Sequence, residues 1–133
     1  MGHAKTYSPL ALAYLGDAVF ELFIREKLLK NGNEPVNKLN KKARAYVSAA
    51  AQSALYFKLV PLLSDEELAV LKRGRNAKSF TKAKNTTVAD YRHATGVEAL
   101  FGYLYLADEP ARLLELMEVC VSAHGEGDLN GER

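Results

Sequence analysis

Residues 10–29 read LALAYLGDAVFELFIREKLL and predict a helix at the centre of a domain, because they are apolar on nearly every face. Asp17 lies in the middle of this helix, where a carboxylate is costly unless a positive group or a metal ion meets it. Gly16 precedes it, although a glycine in mid-helix costs about 1 kcal/mol relative to alanine. A close approach of another element to the backbone would explain this glycine. We therefore expect the helix to carry a functional site.

The composition restricts the class of protein. The chain has 133 residues, 48% hydrophobic and 26% charged, as in an ordinary single globular domain. One cysteine and three scattered histidines provide neither a disulfide framework nor the spacing of a zinc site, so a metal should be a hard cation held by oxygen. The first residues lack the regions of a signal peptide, and the charges within residues 10–29 disfavour membrane insertion. We expect a cytoplasmic protein with no membrane partner.

The net charge of +2 is unevenly distributed. Residues 36–89 contain eleven lysines or arginines against three acids, whereas the remainder contains seven basic and thirteen acidic residues. A basic middle between acidic ends favours a polyanion such as nucleic acid, although solvated helix faces give the same pattern.

Helical periodicity and capping signals extend along the chain, and no segment alternates like a β-strand. Predicted helices cover residues 10–31, 36–59, 64–71 and 87–108, and a last helix begins at Pro110. Its inward positions would be Leu113, Leu114, Met117, Cys120 and Val121. Residues 72–87 should form a loop, because they contain Gly, Asn, Ser and Thr without apolar periodicity. The chain is predicted to be all-α, with a catalytic-type domain at 1–125 and a disordered polar tail at 126–133.

Two predicted helices each carry one acid near the middle, Asp17 in LGDAVFE and Glu98 in GVEALFGYL. If these helices pack side by side, the two carboxylates can bind one Mg²⁺, with water and a substrate phosphate as the other ligands. The alternative is that each acid bonds only to a neighbouring tyrosine, arginine or backbone group.

A resemblance to a known family rests on two motifs. Residues 12–29, LAYLGDAVFELFIREKLL, resemble the signature helix of the ribonuclease III family, whose hallmark is close to LEFLGDAVLE. Residues 94–106, ATGVEALFGYLYL, are similar to the family's later helix, typically ADxxEALxGAxxLD. The short length, the lack of an appended double-stranded-RNA-binding domain and the segment KRGRNAKS at 72–79 resemble the Mini-III members. The resemblance covers about residues 8–107.

The resemblance implies an all-helical endonuclease bundle that acts as a homodimer on double-stranded RNA with Mg²⁺ as cofactor. By motif position, Asp17 and Glu98 match the acids that ligate the metal and support cleavage. The larger enzymes carry further acids where this chain has Ala13 and Thr95. The resemblance therefore leaves open a one-metal mechanism or a second ion recruited by substrate phosphate. It also implies staggered cuts with 5′-phosphate and 3′-hydroxyl products.

Two basic segments are candidates for RNA contact, because A-form RNA is recognised through phosphates and 2′-hydroxyls. The first comprises Lys72, Arg73, Arg75, Asn76, Lys78, Lys82 and Lys84 of the predicted loop. The second comprises Lys38, Lys41, Lys42 and Arg44 of the second helix. The alternative for both is a solvated surface.

Several residues receive no catalytic role at this point. Glu21 is interpreted as structural or as a support of the site, and His93 as a surface or capping residue. Tyr14, Phe101 and Tyr103 should pack in the core or at a dimer interface, since a duplex offers no splayed bases for stacking.

Three functions remain open. The first is a double-strand-specific endoribonuclease of the Mini-III type, for which the resemblance implies maturation of the large-subunit ribosomal RNA precursor, with a ribosomal protein as a candidate partner. The second is a catalytically silent relative that binds structured RNA, which the absence of acids at Ala13 and Thr95 favours. The third is a helical interaction module without an RNA role.

Overall fold

The computed structural model describes residue 4, residues 6–78 and residues 86–130, with the backbone alone at 123–130. It contains the helices α1 (Pro9–Asn31), α2 (Val36–Val47), α3 (Ala49–Leu59), α4 (Asp65–Asn76), α5 (Val88–Leu106) and α6 (Pro110–Asn130). A 3₁₀ turn, Val60–Leu62, follows α3. These described ranges include no β-strand, so the predicted all-α class is confirmed. None of their helices combines the length and the apolar character that a membrane crossing requires.

Side-chain caps fix the beginnings of the helices as the sequence predicts. The Ser8 hydroxyl accepts a hydrogen bond of 3.1 Å from the Ala11 backbone N–H at the start of α1, and Thr87 caps α5 in the same way. At α4, Ser64 and Glu67 form a reciprocal capping box. Such caps satisfy backbone N–H groups that have no partner within their own helix.

Three helix boundaries differ from the prediction. The single helix predicted over 36–59 is broken at Ser48, which has an extended backbone and caps α3. The helix predicted over 64–71 continues to Asn76, because Gly74 packs inside the bundle. The helix α6 continues to Asn130, so residues 126–130 of the predicted disordered tail have a helical backbone.

Leu114, predicted to face inward, is 49% exposed.

The helices α1 and α5 form the central pair of the bundle, and α3 and α4 pack on the other sides of α5. The helix α2 packs on α1, and α6 lies against α3, α1 and α5. Phe20 of α1 and Phe101 of α5 are buried between them, with ring centroids 5.3 Å apart. Burial of such aromatic side chains supplies much of the stability of a small core.

The backbones of α1 and α5 touch where they cross. A Cβ atom on Gly16 would lie 1.7 Å from the Glu98 carbonyl oxygen, and one on Gly102 would lie 2.0 Å from the Leu12 carbonyl oxygen. Neither position has room for a side chain. This contact explains Gly16, and it brings the following residue, Asp17, next to Glu98.

A second pair of glycines joins α4 to α5. A Cβ atom on Gly74 would lie 2.7 Å from the Ala99 Cβ, and one on Gly96 would lie 2.8 Å from the Leu71 carbonyl oxygen. The C-terminal end of α4 is therefore held against the N-terminal half of α5, within one turn of Glu98.

Arg112 connects α6 to the beginning of α4. Its guanidinium donates to Glu67 at 2.9 and 2.8 Å and to the Leu62 carbonyl oxygen at 2.8 Å. The hydrogen bond from Arg112 is the main cause that lowers the pKa of Glu67, against the opposing effect of burial. This charge-assisted contact fixes the helix that closes the bundle.

The α1–α5 contact can be tested by adding a methyl group. Gly16→Ala should lower the free energy of unfolding by about 3 kcal/mol or more, because the two backbones must separate to admit the Cβ atom. Chemical denaturation followed by circular dichroism measures this change.

Gly32→Ala is the matched control, since a Cβ atom there would approach only the Glu34 carboxylate, at 3.8 Å. It should change the free energy of unfolding by less than about 0.5 kcal/mol. An equal loss in both variants would contradict the proposed close contact.

Candidate active site

Asp17 and Glu98 line a pocket of about 240 Å³ between α1 and α5. Tyr14 and Tyr91 also line this pocket. The carboxyl groups of Asp17 and Glu98 lie within hydrogen-bonding contact of each other. The two acids that the sequence motifs single out are thus neighbours in space, although they are far apart in the chain.

The two carboxyl groups differ in their environment. Asp17 is exposed, contrary to the expectation that it would be enclosed by an apolar helix, because α1 leaves one of its faces uncovered. Glu98 is partly buried, and burial is the main cause that raises its pKa to about 8, followed by the charge of Asp17 and the hydrogen-bonding contact with it. A donor from Gln52 opposes this rise. The pair is therefore a place where positive charge is favoured.

Gln52 of α3 contacts Glu98 from inside the bundle. Its side-chain Nε2 donates to Glu98 Oε2 at 3.2 Å and to the Val47 carbonyl oxygen at 3.0 Å. The Glu98 side chain is therefore held from behind while its carboxylate faces Asp17.

Ala13 and Thr95 line the same pocket as the two acids. The Thr95 hydroxyl donates to the Tyr91 carbonyl oxygen at 2.8 Å, and Ala13 is buried. These are the positions at which the resemblance indicates acids in the larger enzymes, and neither supplies a carboxylate here. Within the described residues, no cluster of three or more His, Cys, Asp or Glu side chains could hold a metal ion.

The donor set nevertheless suits a magnesium ion. Mg²⁺ is commonly bound by one or two carboxylates, with waters and substrate phosphates completing an octahedron. The pocket offers two carboxylates, and none of the described residues that line it is cationic. Asp17 and Glu98 would therefore be the protein ligands of a divalent cation at this site.

The C-terminal end of α4 forms a basic edge next to this pocket. A Cβ atom on Gly74 would lie 3.2 Å from the Thr95 carbonyl oxygen, so this end of α4 is adjacent to the pocket wall. Lys72, Arg73 and Lys78 are exposed along this edge. Their side chains are available to an anionic partner.

Arg75 and Asn76 of the same edge already have protein partners. The Arg75 guanidinium donates to the Tyr56 hydroxyl at 2.9 Å, and its Nε donates to Asn76 Oδ1 at 3.0 Å. Arg75 thus anchors the end of α4 to α3. Lys82 and Lys84 lie outside the described residues.

The second basic segment lies on α2. Lys38, Lys41 and Arg44 are exposed, whereas Lys42 forms an ion pair of 2.8 Å with Glu34. The Val47 carbonyl at the end of α2 shares its donor with Glu98, so the turn that carries Arg44 approaches the acid pair.

Two residues with no catalytic role in the sequence analysis have defined contacts. Glu21 pairs with Arg25 at 2.6 Å on the surface of α1, as a structural role predicts. His93 packs against Tyr56, with ring centroids 4.5 Å apart, and its Nδ1 lies 3.3 Å from the Ser53 hydroxyl. It is therefore a partly buried packing residue between α5 and α3 and not a surface cap.

Sequence reasoning missed Gln52, since a glutamine in an alanine-rich turn carries no periodic or motif signal. The sequence does contain one indication, because the chain has a single glutamine and it falls on the inward side of its helix. A buried amide needs hydrogen-bond partners and so marks a polar site in the core.

Comparisons with known proteins find relatives over most of the chain. A sequence model of the Ribonuclease III domain matches residues 10–109. The chain is 48% identical to Mini-ribonuclease 3 of Clostridium tetani over 127 residues, covering 95% of this chain and 84% of that protein. It is 49% identical to Mini-ribonuclease 3 of Symbiobacterium thermophilum over 118 residues, covering 89% of this chain and 91% of that protein.

A solved structure shares the fold. It is the crystal structure of a Fusobacterium nucleatum protein, with a TM-score of 0.79 and 36% sequence identity, covering 89% of this chain and 94% of that one. The chain therefore belongs to the ribonuclease III family. Within the family it falls among the Mini-ribonuclease 3 proteins, so the predicted resemblance to the Mini-III members is confirmed.

Proposed function

We propose that this protein is a Mg²⁺-dependent endoribonuclease that hydrolyses phosphodiester bonds of double-stranded RNA. The observation that carries the proposal is the contact between the Asp17 and Glu98 carboxyl groups beside the basic end of α4. A pair of acids suits a divalent cation, and a basic edge suits the phosphates of a duplex. Membership of the ribonuclease III family supports the same reaction.

Asp17 and Glu98 have different tasks in this reaction. The exposed Asp17 would hold the cation on the solvent side of the pair, whereas the partly buried Glu98 would hold it with a carboxylate that Gln52 fixes in one position. When bound, Mg²⁺ supplies Lewis acidity at the phosphate and generates a nucleophile from water near neutral pH. The small side chains Ala13 and Thr95 leave space in the pocket for water and phosphate oxygens. Two carboxylates favour one resident ion, with a second ion recruited by substrate.

The basic side chains hold the duplex across the pocket. Lys72, Arg73 and Lys78 at the end of α4, with Arg44 and Lys41 on α2, are exposed. In this proposal they contact phosphates and 2′-hydroxyls. Arg75 supports this surface through Tyr56. We include Lys82 and Lys84 in the RNA-binding set on the basis of their charge alone.

A homodimer would place two such sites across one duplex. An apolar row on α1, spaced by four residues, is exposed beside Asp17: Leu10, Tyr14, Ala18 and Leu22. Tyr14 is 85% exposed and Leu22 is 69% exposed. Residues four apart lie on one face of a helix, and such an uncovered apolar face is typical of an interface. Two-fold packing through this row would direct the paired sites to opposite strands and produce staggered cuts.

Family resemblance further supports maturation of the large-subunit ribosomal RNA precursor as the cellular role, with a ribosomal protein presenting the substrate.

The second candidate function, binding of structured RNA without cleavage, is favoured by the absence of acids at Ala13 and Thr95. Incubation with long double-stranded RNA in Mg²⁺ or in EDTA distinguishes the two. Cleavage that requires Mg²⁺ supports the nuclease, and a gel shift without cleavage supports the binding protein.

Asp17→Asn should reduce the rate of cleavage of double-stranded RNA by about 1000-fold or more, because it removes the charge of a proposed metal ligand. The amide keeps the shape of the side chain and removes its charge, so RNA affinity measured in Ca²⁺ should stay within about twofold. Glu21→Gln is the control, because it removes an acid one turn away that pairs with Arg25. Equal turnover by Asp17→Asn and wild type would rule out the assigned site.

The double substitution Lys72→Ala/Arg73→Ala should weaken RNA binding and make its salt dependence shallower by about one unit of slope for each lost phosphate contact. Filter binding across a series of KCl concentrations measures both effects. Lys30→Ala is the control, since Lys30 pairs with Glu26 near the far end of α1, about 20 Å from Asp17 along the helix. An unchanged slope in the double variant would show that α4 does not bind RNA.

Tyr14→Asp should separate the dimer into monomers, because it places a charge in the middle of the apolar row. The dissociation constant should rise by about 30-fold or more, the effect of losing an aromatic hot spot. Sedimentation equilibrium measures the mass. Val36→Asp is the control, an equal change at an exposed apolar residue at the start of α2. A wild-type protein with the mass of one chain at all concentrations would contradict the dimer.

A further inference from the structure

Gln52 connects two parts of the bundle through one nitrogen atom. The side chain is 1% exposed, and its Nε2 donates both to the Val47 carbonyl oxygen at 3.0 Å and to Glu98 Oε2 at 3.2 Å. Both hydrogens of the amide are thus used on acceptors that come from different helices. Gln52 does not line the pocket of the acid pair, so it reaches that pocket only through Glu98.

The orientation of this amide is set by its neighbours. The Val47 carbonyl oxygen can only accept, so the nitrogen of the amide must face it, and the same nitrogen then faces Glu98. A reversed amide would direct Oε1 at two oxygen acceptors. In the observed orientation Gln52 Oε1 is buried without a hydrogen-bond partner. A buried oxygen without a hydrogen-bond partner lowers the stability of the fold. Such a cost is typical of a residue that is kept for a function.

The break between α2 and α3 makes the Val47 carbonyl available. The Ser48 hydroxyl accepts from the Ala51 N–H at 3.2 Å, and the Gln52 backbone N–H bonds to the Ser48 carbonyl oxygen at 3.0 Å. The side chain of Gln52 can therefore donate a hydrogen bond to the Val47 carbonyl oxygen and cap the end of α2. The backbone and side chain of Gln52 are both fixed by this break.

We propose that Gln52 is a positioning residue for the reaction, which fixes the carboxylate of Glu98 for the divalent cation that Glu98 shares with Asp17. This inference rests on the proposed function of the acid pair. A neutral amide is suited to the task, because it donates to the carboxylate without supplying a positive charge that would compete with the cation. Partners of this kind, which orient a metal-binding carboxylate, alter metal affinity or activity by about 10- to 100-fold when they are removed.

Gln52→Met tests the role, since methionine retains the approximate volume and removes the donor. We expect kcat for cleavage of double-stranded RNA to fall by about 10- to 100-fold, with KM within about twofold. The affinity for Mn²⁺, measured on the protein without RNA by electron paramagnetic resonance of free Mn²⁺, should weaken by a comparable factor.

Ser53→Ala is the matched control. Ser53 is the next residue of α3, is also buried and bonds to His93, not to Glu98. It should leave kcat and Mn²⁺ affinity within about twofold of wild type. A folded Gln52→Met protein with wild-type kcat and Mn²⁺ affinity would overturn the role of Gln52, and so would an equal loss in both variants.

A measurement on the wild-type protein keeps the inference testable if Gln52→Met fails to fold. The chain contains one glutamine, so ¹⁵N labelling of glutamine side chains labels a single amide group, which has one nitrogen and two proton resonances. Addition of Mg²⁺ should shift both proton resonances of this amide, and Asp17→Asn should weaken the shift. An amide signal that does not respond to Mg²⁺ at concentrations that support cleavage would contradict the inference.

The outcomes distinguish the inference from the function on which it rests. If the wild-type protein does not cleave double-stranded RNA in Mg²⁺, the proposed function fails, and the role of Gln52 fails with it. If the wild-type protein cleaves RNA while Gln52→Met retains wild-type kcat and Mn²⁺ affinity, only the role of Gln52 fails.

Discussion

The contact between the backbones of α1 and α5 is the constraint on which the site depends. At Gly16 the α1 backbone approaches the Glu98 carbonyl oxygen so closely that no side chain fits between them. A helix pair usually keeps its axes 8–10 Å apart because side chains separate them, and two glycines remove that separation here. The position of Glu98 relative to Asp17 is therefore set by main-chain atoms, which are less adaptable than side chains.

The acid pair gains its character from the difference between its two environments. Glu98 is partly buried and contacts Gln52 of α3, whereas Asp17 is exposed to solvent. Burial is the main cause that raises the pKa of Glu98 to about 8, and the charge of Asp17 adds to it, because two neighbouring carboxyl groups repel each other when both are ionised. The arrangement is costly for the protein alone and favourable once positive charge is present.

The sequence predicts those parts of the fold that have local signals. Gly16 beside Asp17 in an apolar helix indicates a close contact at a polar site, and the caps at Ser8, Ser64 and Thr87 mark where helices begin. The sequence does not predict the break at Ser48, because the apolar spacing continues through it. The extension of α4 to Asn76 was missed for a similar reason. Gly74 reads locally as a loop residue, but it is a packing residue in the structure.

Three contacts on Glu98 come from residues far away in the chain, and the one from Gln52 has no motif or spacing that predicts it. The α1 backbone contacts the carbonyl group of Glu98, and Gln52 donates a hydrogen bond to its carboxylate. The charge of Asp17 contributes, after burial, to the raised pKa of this carboxylate. Three helices thus converge on one side chain, and no periodic pattern in any of them records the other two. The carboxylate of Glu98 therefore has little freedom to move when a ligand binds. A small acidic site needs carboxylates held in this way to bind a cation in a defined geometry. The resemblance indicates acids in the larger enzymes where this chain has Ala13 and Thr95. Under the proposed function only two carboxylates would hold the cation, so a fixed position of Glu98 would matter more.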